Sequence, residues 1–169
     1  MSAPLLAIDS LSAVSLREAA TPVLRNVSLK LARGEVLGLV GESGAGKSTI
    51  AKAILGILPR GIRVTGGSIR FAGEDLLGLE RARFRALLGN SLALIPQDPQ
   101  TALNPSRRVG AQLTDGLRLQ RGLSAAAAEA RGLELLEQVR LGEPRRIYRA
   151  WPHELSGGQR QREIGRAHV

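Results

Sequence analysis

Cysteine is absent from this sequence. That excludes a disulfide framework and any thiolate metal site, and His153 and His168 stand too isolated to form a zinc site. Aromatic residues make up only 2% of the chain, so the stacking rings on which single-stranded nucleic acid is commonly held are missing. The formal charge of +9 therefore does not by itself mark a nucleic-acid surface. Its 21 Arg and 3 Lys are scattered among Ala and Gly, a pattern closer to GC-rich coding than to a basic patch, and no nucleic-acid partner is expected. No apolar run reaches the length of a membrane span, and residues 1–16 lack the basic start and long apolar centre of a signal peptide. The chain is expected to stay in the cytoplasm.

What is present suits a globular protein. With 169 residues, 43% of them apolar and 23% charged, the chain can bury one good core, lobed but compact. Its organising stretch is 41–48, GESGAGKS, which fits G-x-x-x-x-G-K-[ST]. Val36, Leu37, Leu39 and Val40 are expected to form a short buried strand before it, and an apolar-periodic helix follows with Ile50, Ile54, Ile57 and Leu58 on one face. Gly41, Gly44 and Gly46 free the backbone to curl with its N–H groups inward, at a helix start whose unpaired N–H groups and dipole also favour an anion. Lys47 then reaches the β and γ phosphates of a nucleotide, and the Ser48 hydroxyl is placed to ligate its Mg²⁺.

Around that motif the chain alternates in class. Residues 5–8 and 11–16 read as two short strands, and Val27, Leu29 and Leu31 alternate with polar residues as a half-buried strand should. Arg33 and Gly34 turn the chain, Pro59 and Gly61 are expected to end the helix, and Gly66 opens a strand that Gly73 closes. A short surface helix is predicted at 80–88 and a strand at 91–95, running into the proline-fixed bend Pro96-Gln97-Asp98-Pro99. Residues 109–119 and a helix capped by Ser124 and running to Val139 make a helical lobe spanning about 100–152, with Leu133, Leu136 and Val139 or Leu135 inward. A second anion-facing helix start appears at 155–159, LSGGQ, where Ser156 can cap and Gly157 and Gly158 bare the backbone.

Together GESGAGKS, IPQDPQTALNP at 95–105 and WPHELSGGQRQR at 151–162 resemble the ATP-binding subunit of an ABC transporter, of the dipeptide, oligopeptide and nickel uptake branch. The resemblance implies an α/β fold: a P-loop NTPase (RecA-like) core with an N-terminal antiparallel β subdomain and an inserted α-helical subdomain, incomplete at the C-terminus. It divides the chain into a partial nucleotide-binding domain at 1–162, with β subdomain and P-loop core at 1–99 and helical subdomain at 100–162, and a tail at 163–169. It also implies a head-to-tail dimer with a second ABC ATPase subunit, identical or not. ATP and Mg²⁺ would be held by Leu16, Gly41, Ser43, Gly44, Ala45, Gly46, Lys47, Ser48 and Thr49, and in trans by Ser156, Gly157, Gly158 and Gln159 of the second subunit. Gln97 would approach the Mg²⁺ and the attacking water, so that the metal is shared by Ser48 and Gln97. Because ATP would touch both subunits, closure is favoured only while the γ phosphate is present, which turns hydrolysis into a stroke. Membrane permeases and, indirectly, a solute-binding protein are the implied partners, at the cytoplasmic face of the membrane.

Several positions depart from that family. Leu16 stands where an aromatic ring usually meets adenine, and Trp151, where Tyr is common, is expected to pack beneath the helical lobe, with His153 structural. Ten residues follow Gln159, whereas the family continues to an Asp-Glu strand end and a switch His. Efficient hydrolysis is therefore not expected. The residues 164–169 back-translate to ATC GGA AGA GCA CAC GTC, which looks like a widely used sequencing-adapter sequence, so 163–169 is expected to be non-native. Two alternatives stay open at this level: a nucleotide-binding fragment without turnover, and a soluble ABC ATPase acting on nucleic acid.

Overall fold

The computed structural model describes residues 3–17, 20–97, 102–139 and 142–155. They fall into two compact units, Met1–Arg85 and Ala86–Val169.

The first unit is built on a four-stranded antiparallel sheet in the order β2-β1-β3-β4, with β1 at Leu6–Ser15, β2 at Thr21–Leu31, β3 at Ile62–Phe71 and β4 at Glu74–Asp75. The two short strands expected at 5–8 and 11–16 are one strand. Leu6 and Ile8 are buried, then Leu11 and Ala13, so the inward parity changes once, between Ile8 and Leu11. Against both neighbours three steps on β1 there match two on the partner: Ile8 and Leu11 face Leu29 and Val27, while Asp9 and Ser12 face Ser68 and Gly66. That is a bulge, and its extra residue is Ser10, at φ 51. The polar groups displaced there are satisfied by hydroxyls, since Ser10 N–H donates to Ser28 Oγ at 2.9 Å and Asn26 N–H to Ser12 Oγ at 3.0 Å.

Across from the bulge, Gly67 has φ +88, and a Cβ there would lie 2.6 Å from Asp9 O and from Leu11 N. Only glycine closes the sheet at that point. Ala72 and Gly73, both at positive φ, form the tight turn between β3 and β4. Ile8 and Ile69 face each other on β1 and β3, fully buried. Val27, Leu29 and Leu31 are half-buried and alternate with exposed neighbours, as their pattern predicts.

Three local expectations are corrected in the strands and the helix of the phosphate loop. Residues 36–40 form no strand: Val36 is 95% and Val40 99% exposed, with no strand beside them among the described residues. Residues 91–95 are also irregular, apart from one isolated parallel bridge between Leu88 and Leu92. The cause is common to both. An apolar parallel strand is stabilised by hydrogen-bonded neighbours and by helices on both faces, and its own sequence supplies neither. The helix α1, Lys47–Ile54, stops earlier than Pro59. Gly56 N–H donates to Ala53 O at 3.2 Å and Ile57 N–H to Lys52 O at 2.9 Å, the paired bonds of a Schellman stop, leaving Ile57 half exposed. The short helix α2 falls at Arg81–Leu87, as predicted.

The second unit packs α3 (Val109–Arg121), α4 (Ala125–Gln138) and α5 (Pro144–Arg149), followed by a 3₁₀ turn at Pro152–Glu154. Ser124 caps α4, its hydroxyl accepting from Ala127 N–H at 3.3 Å. Val109, Leu113, Leu136, Ile147 and Leu155 make the core, with Val139, Tyr148 and Ala150 against it. Leu135 and Leu136 turn fully inward, and Leu133 and Val139 are half-buried. The Tyr148 ring occupies the space that a side chain at Gly110 or Gly132 would need, so two glycines on facing helices make room for one ring.

Gly67→Ala is expected to lower the stability of the first unit by about 2 kcal/mol, read as a lower urea midpoint. An unchanged midpoint would refute the bulge argument. In the second unit, burial raises the Tyr148 phenol above its ordinary value, against a lowering bond with Thr114 and alongside Glu129. The neutral phenol is thus favoured in the fold, so its contribution is full below about pH 10 and lost as pH rises through the elevated folded value. Tyr148→Phe should flatten that alkaline decline in a series of melts, and ultraviolet titration of this sole tyrosine checks the shift directly.

Candidate functional site

The glycine loop leaves Ala32-Arg33-Gly34-Glu35, a turn closed by Glu35 N–H on Ala32 O at 3.2 Å, and crosses the exposed stretch 36–40. It then tightens. Ala45 N–H donates to Glu42 O at 3.2 Å, Gly44 lies at φ +86, and Gly46, at φ +84, is the residue before α1. Glu42, Ser43, Gly44 and Ala45 are exposed, whereas Gly46 is buried against β2. A Cβ on Gly46 would stand 2.7 Å from Leu24 Cδ2 and 3.2 Å from Val23 O. The end of the loop is therefore set directly on the sheet, and only a residue without a side chain fits both the space and the φ.

From that point α1 is held by Ile50 and Ala53, 7% and 4% exposed, and it packs on β2. The first intrahelical bond runs from Ile50 N–H to Gly46 O at 3.0 Å, so the N–H groups of Lys47, Ser48 and Thr49 precede the ladder. Lys47 turns back across the loop. Its Nζ donates to Gly41 O at 2.7 Å and to Glu42 O at 2.6 Å, clasping the first turn of the loop to the first residue of the helix. Ser48, beside it, is exposed, and Thr49 half-buried. An ammonium, three unladdered N–H groups and a glycine backbone at one helix start suit a phosphate chain. The residues present thus fit a nucleotide phosphate.

Leu16 emerges at the end of β1, where Ser15 pairs with Thr21 and Ala13 with Leu24. Since Gly46 rests on Leu24, the structure brings Leu16 to the end of the sheet that carries the loop, 53% exposed and with its N–H on Gly61 O at 2.6 Å. Beside it, Arg17 lays its side chain on Gly61, Nε at 3.3 Å from where a Cβ would be. Sequence reading passes over Arg17, because a charged residue at a strand end is ordinary.

Gln97 belongs to the second unit and is exposed; Asp98, Pro99, Gln100 and Thr101 lie outside the described residues. The far end of that motif is tightly held. Gln112 accepts from Asn104 N–H at 2.8 Å and donates to the carbonyls of Asn104 and Arg107 at 3.1 and 2.9 Å, while Asn104 Oδ1 accepts from Ser106 N–H at 2.9 Å. Gln112 thus ties the loop 104–107 to α3, and no sequence motif announces it. Ser156, Gly157, Gly158 and Gln159 also lie outside the described residues, as does 163–169. Just before them, Leu155 is 4% exposed in the helical core, and Glu154 accepts from Trp151 N–H at 2.7 Å, fixing the chain that enters the motif. Trp151 is half-buried and His153 exposed. Among the described residues no group of three or more His, Asp or Glu forms a metal cluster, and no helix is long and apolar enough to cross a membrane.

The described elements are of mixed α/β class, and the solved structures they resemble are ATP-binding cassettes, which are P-loop NTPases. The family model described as ABC transporter matches residues 24–168, and the chain belongs to that family, whose members bind ATP, typically with Mg²⁺. It is 45% identical over 161 residues to a peptidoglycan transport ATP-binding protein, YejF, of Agrobacterium fabrum, covering 94% of this chain and 30% of that protein. It is 44% identical over 140 residues to a probable D,D-dipeptide transport ATP-binding protein, DdpD, of Escherichia coli, covering 82% and 43%. The solved dimeric ATP-binding cassette MJ0796, in a post-hydrolysis state with ADP and Pi, superposes with a TM-score of 0.77 at 25% identity, covering 96% of this chain and 68% of that one. The chain spans about a quarter to a half of the length of these curated relatives, 26% of an oligopeptide transport protein of Mycobacterium bovis and 48% of a putative peptide import ATP-binding protein of Brucella abortus.

Gly46→Ala is expected to lift the loop from Leu24 and weaken binding of a nucleoside triphosphate at least tenfold, about 1.4 kcal/mol, with α-helical content retained. Equilibrium binding of a fluorescent nucleotide, alongside circular dichroism, measures both; wild-type affinity would refute the packing role.

Proposed function

We propose that this chain is the ATP-binding, energy-coupling part of an ABC importer, in which ATP binding and hydrolysis drive entry of peptides or a related solute such as nickel. One observation carries the proposal: the glycine loop set on β2 through Gly46 and clasped by Lys47. In this reading the backbone of Gly41, Ser43, Gly44, Ala45 and Gly46 and the N–H groups of Lys47, Ser48 and Thr49 hold the phosphates. The Lys47 ammonium exchanges its two carbonyl partners for phosphate oxygens, a charge-assisted contact stronger than the neutral ones it replaces. Leu16 gives the base an apolar contact. Ser48 would hold Mg²⁺, which would neutralise phosphate charge. Ser156, Gly157, Gly158 and Gln159 close the site of a second ATPase subunit.

The uptake of peptides is supported by the names of several relatives: peptide import proteins of Brucella, the D,D-dipeptide protein of Escherichia coli, and the oligopeptide transport protein OppD of Mycobacterium bovis. The same reading assigns 1–99 to the β subdomain and P-loop core and 100–162 to the helical subdomain. Its partners are membrane permeases and, through them, a solute-binding protein, with the chain at the cytoplasmic face of the membrane.

Lys47→Ala is the direct test. The substitution removes both clasp bonds and the cation, and ATP affinity should fall at least tenfold, about 1.4 kcal/mol, in isothermal titration. Unaltered affinity would overturn the reading.

A further inference from the structure

The second unit carries an open cleft of about 530 Å³, walled by Arg108, Arg145, Arg146, Arg149, Trp151 and Glu154. Four guanidinium groups thus share it with one carboxylate, and that carboxylate is already engaged by Trp151 N–H. Arg146 pairs with Glu143 at 2.6 Å. Arg108 sits 5.3 Å from the centroid of the Trp151 ring and donates to the Arg149 carbonyl, so its guanidinium is held in place from two sides. Arg145 and Arg149 make no ion pair among the described residues. They are four apart on α5 and therefore share a face.

Like charges gathered in one concavity repel one another, and an anion between them relieves that repulsion. Guanidinium is the cation suited to this, because it keeps its charge at all working pH values and presents a planar fork of donors to phosphate oxygens. We propose that this cleft is a second anion site, distinct in sequence from the glycine loop, which takes a compact phosphate-bearing group of two or more charges. A free pyrophosphate and a phosphomonoester lipid headgroup share that chemistry.

Trp151 is the only tryptophan in the chain and lines the cleft, so its fluorescence reports occupancy. The full chain is titrated with sodium pyrophosphate and, separately, with phosphatidylcholine vesicles with and without phosphatidate. The expected result is a saturable change that persists in Lys47→Ala, weakens about tenfold in Arg145→Gln/Arg149→Gln, and is only partly restored in Arg145→Lys/Arg149→Lys, which keeps the charge without the planar fork. A response to pyrophosphate supports a soluble ligand; a response to phosphatidate vesicles alone supports a headgroup. Both arginines are exposed, and the single variants Arg145→Gln and Arg149→Gln repeat the test should the double variant lose its circular dichroism signal. A silent Trp151 with both probes overturns the proposal. So does a response that Lys47→Ala abolishes and the arginine variants leave unchanged.

Discussion

The pairing of β1 on both edges is the constraint from which the first unit follows. β1 is hydrogen-bonded to β2 and β3 along nearly its whole length, and Ile8, Leu11 and Ile69 are sealed inside by it. Each such side chain contributes about 1.5–3 kcal/mol by leaving water, more than the exposed ion pairs on the same sheet supply. The pair Arg70 and Asp9, 3.2 Å apart with half-exposed side chains, adds little beside that. The Ser10 bulge reverses the inward parity within β1, and Gly67 makes the reversal possible by leaving a gap for it. On the far side, β2 offers Leu24 and Val23 as the floor on which Gly46 rests. The phosphate loop thus inherits its position from a strand pairing that contains none of its residues.

In the glycine loop the Gly41 and Glu42 carbonyl oxygens are drawn to the Lys47 ammonium, so a side-chain charge holds the turn. The second unit uses steric fit in place of charge. Gly110 and Gly132 admit the Tyr148 ring, which locks α5 to α3 and α4, and α5 leads through Pro152–Glu154 to the edge of the signature sequence. Small residues opposite one large one give a single packing solution, so the entry to that motif is fixed by the core.

Features that depend on neighbours in the chain were legible. The glycine loop, the α1 start, the Ser124 cap, the alternating half-burial of β2 and the helical character of 109–139 all rest on spacing and local chemistry, and all are present. Features that depend on distant partners were not. The inversion at Ser10 reads as two strands because alternation breaks there, and nothing local shows that the ladder continues. Val36, Leu37, Leu39 and Val40 read as a buried strand by composition, yet burial is supplied by other strands and helices, and none of the described residues supplies it. Gln112 and the arginine cleft carry no motif, since they are assembled by contacts between helices.

Sequence alone determined that this chain has a glycine loop ahead of a helix, the residues LSGGQ at 155–159 and helices between the two, because those rest on residue types at fixed short spacings. Tertiary structure decided where the loop sits, how Lys47 is engaged, why Gly46 and Gly67 admit no side chain, and which apolar segments are covered. The physical reason is that hydrogen-bond partners in a sheet and the walls of a core come from remote stretches of the polymer. Their identity is settled only when those stretches pack.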